Sequence, residues 1–210
     1  NNAYKLVTFA RKIQALKASV TRVEDVSRHP QDPRYTDTAS GDSRQKLTGE
    51  VELKGVSFGY SPLVKPLIED FSFHLYSGES IAFVGPSGCG KSTVSKLVSG
   101  LYQPWSGKLL LDGQDIASVS KARLTASIAT VSQNITLFSG SVRDNLTLWN
   151  SAITDEQLTQ AAKDACIYDF IASCPGGFDY ELTENADNLS GGQRQRLEIA
   201  RALATDPSIL

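Results

Sequence analysis

The run Ser80-Ile81-Ala82-Phe83-Val84 followed by Gly85-Pro86-Ser87-Gly88-Cys89-Gly90-Lys91-Ser92-Thr93 constrains the fold more than any other part of this 210-residue chain. A mostly apolar run that ends in glycine reads as a buried parallel strand. Gly85–Thr93 matches G-x-x-x-x-G-K-[ST], and Val94 to Gly100 continue with a helical pattern. Background frequencies give such a match in roughly one chain in a hundred of this length, and the strand before it and helix after it lower that further. Small residues let the backbone wrap a triphosphate with its N–H groups pointing inward, and the helix N-terminus adds a positive end. Lys91 can neutralise the β- and γ-phosphates, and the Ser92 hydroxyl can ligate Mg²⁺. Cys89 occupies a free position of the loop; it reads as a small filler that alkylation would turn into a block to nucleotide entry.

Around this loop the chain changes period three times. Residues 3–27 carry Leu6, Phe9, Ile13, Leu16, Val20 and Val23 at steps of three and four, one amphipathic helix. That helix either packs on a neighbour or is the cytosolic end of a longer one. Residues 28–48 are rich in Pro, Asp, Ser and Thr without periodicity and read as a linker. The compact domain is expected over 49–210. Alternation over Glu50–Leu53, Val56–Phe58, Phe71–Leu75 and Lys108–Leu111, the last followed by Asp112-Gly113, predicts short antiparallel strands. The second half is helical, with capping-box spacing at Ser141/Asp144, Thr154/Gln157 and Ser190/Gln193 and an Asp206-Pro207 stop before Ser208-Ile209-Leu210.

Composition excludes several classes. A net charge of −2 gives no electrostatic footprint for nucleic acid, and no apolar run approaches the ~18 residues of a membrane span. Three cysteines without CxxC spacing suggest neither a disulfide framework nor a zinc site, and a reducing compartment fits best. With no methionine, even at position 1, the sequence is expected to be a piece of a larger protein.

A phosphate loop alone leaves kinases, GTPases, helicases and transport ATPases open. Leu189-Ser190-Gly191-Gly192-Gln193, about a hundred residues further on and opening a helix, decides among them. With Gly85–Thr93 it closely resembles the nucleotide-binding domain of ATP-binding cassette (ABC) transporters, over about residues 49–210. The resemblance implies an α/β P-loop NTPase with an antiparallel β subdomain, a RecA-like core, incomplete here, and a helical signature subdomain over about 134–205. It implies ATP and Mg²⁺ as ligands. Tyr60, in Phe58-Gly59-Tyr60, matches the aromatic that stacks on adenine, with an edge-strand tyrosine as the plainer reading. Gln133 matches the glutamine that touches Mg²⁺ and senses the transport domain, with a solvated glutamine as the alternative. Ser190, Gly191, Gly192 and Gln193 match the signature that contacts the γ-phosphate of ATP held by a second subunit, which requires a head-to-tail dimer. Glu184 looks like the acidic position through which exporters contact membrane-domain loops, although Asn185 stands where a glycine commonly follows.

By the same resemblance, residues 1–27 become the cytosolic extension of a last transmembrane helix, and the domain works at the cytoplasmic face of the cell membrane. The run Arg28-His29-Pro30-Gln31-Asp32-Pro33-Arg34 and Leu197–Arg201 look most like peptide (bacteriocin-type) exporters. The family's Mg²⁺-side aspartate, water-polarising glutamate and γ-phosphate histidine have no match in the chain; His29 and His74 lie in the linker and on a strand. Residues 1–210 are therefore expected to bind ATP weakly and hydrolyse it negligibly, while the parent protein is a Mg-ATPase. Two other functions stay open: a non-transport ABC ATPase of DNA repair or translation, and a module that senses nucleotide without hydrolysis.

Overall fold

The computed structural model describes residues 12–14, 16–17, 19–25, 27, 45–183 and 186–210. The chain divides into two compact units, residues 1–38 and 39–210. In the first, the described residues between 12 and 27 are helical, and Ile13, Leu16, Val20 and Val23 of the predicted stripe are exposed. Leu6, Phe9, His29 and most of the linker lie outside the described residues.

The second unit opens on a four-stranded antiparallel sheet. Strand β1 (Val51–Phe58) lies between β2 (Ile68–Leu75) and β3 (Ser106–Leu111), and β4 (Gln114–Asp115) pairs with β3 at the edge. Val51 stands opposite both Leu75 and Leu111, so the alternating residues Val51, Leu53, Leu109 and Leu111 share the buried face. Asp112 and Gly113 both take positive φ, which suits the two-residue turn from β3 to β4. Asp112 also gathers the entering chain: its carboxylate accepts from Thr48 N and Oγ1, both at 2.7 Å, and from the N–H groups of Gly49 and Glu50. Burial pushes the Asp112 carboxyl up, but these donors outweigh it and hold it below its usual value.

Helix α1 (Lys91–Val98) buries Val94 and Leu97 against this sheet, and α2 (Lys121–Ser127) adds Leu124 to the same core. Packing against the body begins slightly before Gly49. Leu47 is buried with its N–H on Ser127 Oγ, and Lys46 Nζ donates to the carbonyls of Thr205 and Asp206 and to the Asp206 carboxylate.

A second core holds the helical half. It is built from α3 (Val142–Thr147), α4 (Asp155–Asp164), α5 (Tyr168–Ser173) and α6 (Gly191–Ala204), with the short pair β5 (Gly140–Ser141) and β6 (Glu181–Leu182). All three predicted capping boxes form: Ser141 with Asp144, Thr154 with Gln157 and Ser190 with Gln193. Each satisfies helix-start N–H groups that would otherwise be orphaned. After the Asp206-Pro207 stop the chain returns to the first core, where Ile209 bridges parallel to Ile128 and Ala129 N–H donates to Ile209 O at 3.0 Å.

Residues 80–84 depart from the expected buried strand. They carry no strand pairing and are exposed, Val84 to 94%. A parallel strand takes its hydrogen bonds from neighbours distant in sequence, and none of the described strands pairs with this run. Phe83 instead lies against Phe71 and Phe73, at ring separations of 6.0 and 5.6 Å.

Candidate functional site

The site begins where β1 runs out. Phe58 is buried and Gly59 passes directly under Trp105, so that a Cβ at residue 59 would lie 2.6 Å from the indole ring. Any side chain there would require the Trp105 ring to shift. Tyr60 follows, with its ring edge-on to Phe58 (5.4 Å) and to Tyr102 (5.6 Å) and Lys96 Nζ 6.0 Å from its centroid. Tyr60 is 57% exposed as a residue, yet its hydroxyl lies 2.9 Å from Thr93 Oγ1. Tyr60 is thus both an open aromatic face and a fixed one.

The phosphate loop lies directly upstream of Thr93. Gly88 and Gly90 both take left-handed φ, 82° and 98°, and Gly90 caps α1 without any side chain. Gly90 O accepts from Thr93 N and Val94 N, which starts the helix and leaves its opening N–H groups without helix partners. Lys91 folds back across the loop. Its Nζ donates to Gly85 O at 2.8 Å and Pro86 O at 2.7 Å and lies 3.6 Å from Cys89 Sγ. Gly85, Pro86, Ser87, Gly88, Cys89 and Ser92 are exposed, while Thr93 is 3% exposed. Backbone donors, a lysine cation and an exposed Ser92 hydroxyl beside a fixed aromatic ring fit a nucleotide triphosphate with Mg²⁺. No group of three or more His, Cys, Asp or Glu side chains that could hold a metal is present among the described residues.

Ser190–Gln193 open α6 on the other core. Ser190 Oγ accepts from Gln193 N, and Gln193 Oε1 accepts from Ser190 N at 2.7 Å. Gly191 and Gly192 are exposed, and a Cβ at Gly191 would meet nothing within 4 Å. The bare turn is therefore open to an outside ligand. Gln133 is exposed in a bend between the two cores' segments, and Glu184 lies outside the described residues. The structure brings Tyr60 together with Gly85–Thr93, and it seats Ser190–Gln193 on a separate core.

Sequence reasoning missed a buried polar cluster linking α6 to the segment after Gln133. Arg201 donates to Asn145 O, Thr136 O and Glu198 Oε2, while Asn145, fully buried, bonds Phe138 N, Phe138 O and Ser141 O. Burial lowers the Arg201 guanidinium's pKa, and the neighbouring Glu198 charge opposes that. The only hint in the sequence is the Glu198/Arg201 spacing on one helix face. Also missed are Leu148 and Trp149, both at positive φ and exposed, with Trp149 5.9 Å from Phe138.

The model of the ABC transporter family matches residues 68–210, more than half of the chain. The chain belongs to the ABC transporter family. This ABC domain is 46% identical over 168 residues to ABC multidrug transporter E of Aspergillus fumigatus, covering 78% of this chain and 13% of that protein. It is 43% identical over 166 residues to antigen peptide transporter 2 of Rattus norvegicus, covering 79% of this chain and 24% of the relative. Among solved structures it resembles a bacterial Atm1-family ABC exporter with ATP bound, with a TM-score of 0.69 and 40% identity over 76% of this chain and 28% of that one. The chain thus spans less than a third of the length of the relatives it matches. The family expectation from the two motifs holds, and so does the ABC ATPase fold class.

Proposed function

We propose that this ABC domain is the ATP-binding part of an exporter that couples ATP binding and hydrolysis to movement of a substrate across a membrane. The observation that carries it is the meeting of a fixed, exposed Tyr60 ring with a phosphate loop, one hydrogen bond of 2.9 Å apart. Lys91, Ser92, Thr93 and the loop backbone from Gly85 to Gly90 would hold the triphosphate, and the Tyr60 face would take the base. Lys91 leaves its own loop carbonyls to meet phosphate oxygens, exchanging two neutral acceptors for charged ones. Ser92 and Gln133 would reach the Mg²⁺, which neutralises charge on the phosphates during transfer.

Ser190, Gly191, Gly192 and Gln193 would serve a second domain's ATP in a head-to-tail dimer. The uncrowded, exposed helix start supports that reading. The exposed Phe138, Leu148 and Trp149 offer a surface that a membrane-domain loop could cover, near Gln133 in sequence; Glu184 would be a second contact. Residues 1–27 would lead from the membrane domain and 28–48 would link to the ABC domain. None of the described helices is itself long and apolar enough to cross a membrane. The cytoplasmic face of a membrane is the proposed location, and a peptide the proposed cargo.

Residues 1–210 would bind ATP but turn it over negligibly, because no carboxylate of this chain answers to the water-polarising glutamate. An ATPase assay on the purified chain tests this. Release of phosphate at background level, with MgATP still bound, is expected. Turnover that Lys91→Ala abolishes would contradict it.

A further inference from the structure

We propose that the Tyr60 hydroxyl is a positioning group for the phosphate loop, so that the base platform and the phosphate grip act as one unit. The proposal rests on the reading of Gly85–Thr93 as the triphosphate site. A stacking platform needs only a ring, and phenylalanine or tryptophan would supply one. Here the ring carries a hydroxyl that reaches Thr93 Oγ1 at 2.9 Å, 33 residues away in sequence. Thr93 is 3% exposed and lies two residues after Lys91, in the first turn of α1. Tyr60 is its hydroxyl's partner, and a buried hydroxyl without one is costly.

The platform is itself braced. Phe58 and Tyr102 meet the Tyr60 ring at interplanar angles of 79° and 89°, and Phe58 in turn lies 5.4 Å from Tyr102 and 6.1 Å from Trp105. A rotation that released Thr93 would break these contacts together. A hydroxyl donates once and can accept as well. With Tyr60 O–H donating into Thr93 Oγ1, the Thr93 proton is left for a phosphate oxygen, and each bond of such a chain polarises the next. The loop is thereby held ready for phosphate by a residue whose other face reads the base.

The test separates ring from hydroxyl and base from phosphate. MgATP and magnesium tripolyphosphate, which has no base, are titrated calorimetrically into the 210-residue chain and its variants. Tyr60→Phe keeps the ring and is expected to weaken both ligands by a similar factor, about three- to tenfold. Tyr60→Ala should weaken MgATP further and tripolyphosphate no further. On a Thr93→Val background, Tyr60→Phe should add nothing, whereas on a Thr93→Ser background, which keeps the hydroxyl, Tyr60→Phe should still weaken both ligands. Tripolyphosphate binding that Tyr60→Phe leaves unchanged would overturn the proposal. So would additive losses in the double variant. Loss of MgATP binding in Lys91→Ala reports on the underlying site assignment separately, because it does not involve Tyr60.

Discussion

The two motif-bearing parts of this domain rest on different cores and are prepared in different ways. Tyr60 and the phosphate loop sit on the antiparallel sheet and α1, where glycines remove side chains, α1 buries Val94 and Leu97, and Lys91 is satisfied by its own loop. Ser190–Gln193 sit on the helical core, where a capping box satisfies the helix start and two exposed glycines leave it bare. In the proposed reading, Lys91 of the first region would leave the Gly85 and Pro86 carbonyls to meet phosphate. The second is already satisfied, and in the proposed dimer its partner would present it with a ligand. A grip that works within one chain and a contact that works between chains would differ in this way.

Perturbing each core alone sharpens the comparison. The largest effect is expected from Arg201→Ala, which strands Glu198 and removes the donors to Asn145 and Thr136. Breaking one side of a buried ion pair costs about 3–5 kcal/mol. Urea unfolding should show that loss, with the MgATP affinity of the folded fraction unchanged. Leu97→Ala and Leu197→Ala form a matched pair, since both side chains are fully buried, one in each core. Each should cost about 2–5 kcal/mol, but only Leu97→Ala, under the helix that carries the loop, should also weaken MgATP. Equal effects on nucleotide binding would break the division into two regions.

Lys91→Ala should leave the melting temperature nearly unchanged while lowering MgATP affinity roughly a hundredfold, the size of one or two charge-assisted hydrogen bonds. The smallest effect is at Asp112. Its folded pKa lies below the usual value, so its contribution to stability is full above about pH 4, the ordinary carboxylate value, and is lost as pH falls through the folded value. Asp112→Asn should therefore flatten the acid limb of the stability profile without moving nucleotide affinity, as pH-dependent melting curves would report.

Local chemistry was legible in the sequence. The three capping boxes need only residues three apart, and the β3–β4 turn needs only Asp112-Gly113; both formed as expected. The phosphate loop and the Ser190–Gln193 motif pointed to the family for the same reason, as each is a few consecutive residues. What could not be read depends on distant partners. The run 80–84 has the right side chains for a buried strand, but pairing is decided elsewhere, and here Val84 is exposed. Tyr60 was visible as an aromatic near the site, whereas its bond to Thr93 joins positions 33 apart. Asn145 carries no pattern that marks it as fully buried, and one of its partners is Arg201, 56 residues later. The domain also begins to pack at Lys46, since that lysine finds the end of α6 some 160 residues on.

The central claim is that one chain grips ATP through its sheet-side site alone. Calorimetric titration of MgATP into the wild-type chain, Lys91→Ala and Ser190→Arg tests it most directly. Saturable binding to wild type, unchanged binding to Ser190→Arg and loss in Lys91→Ala are expected. Binding that survives Lys91→Ala, or that Ser190→Arg abolishes in the monomer, would contradict the account.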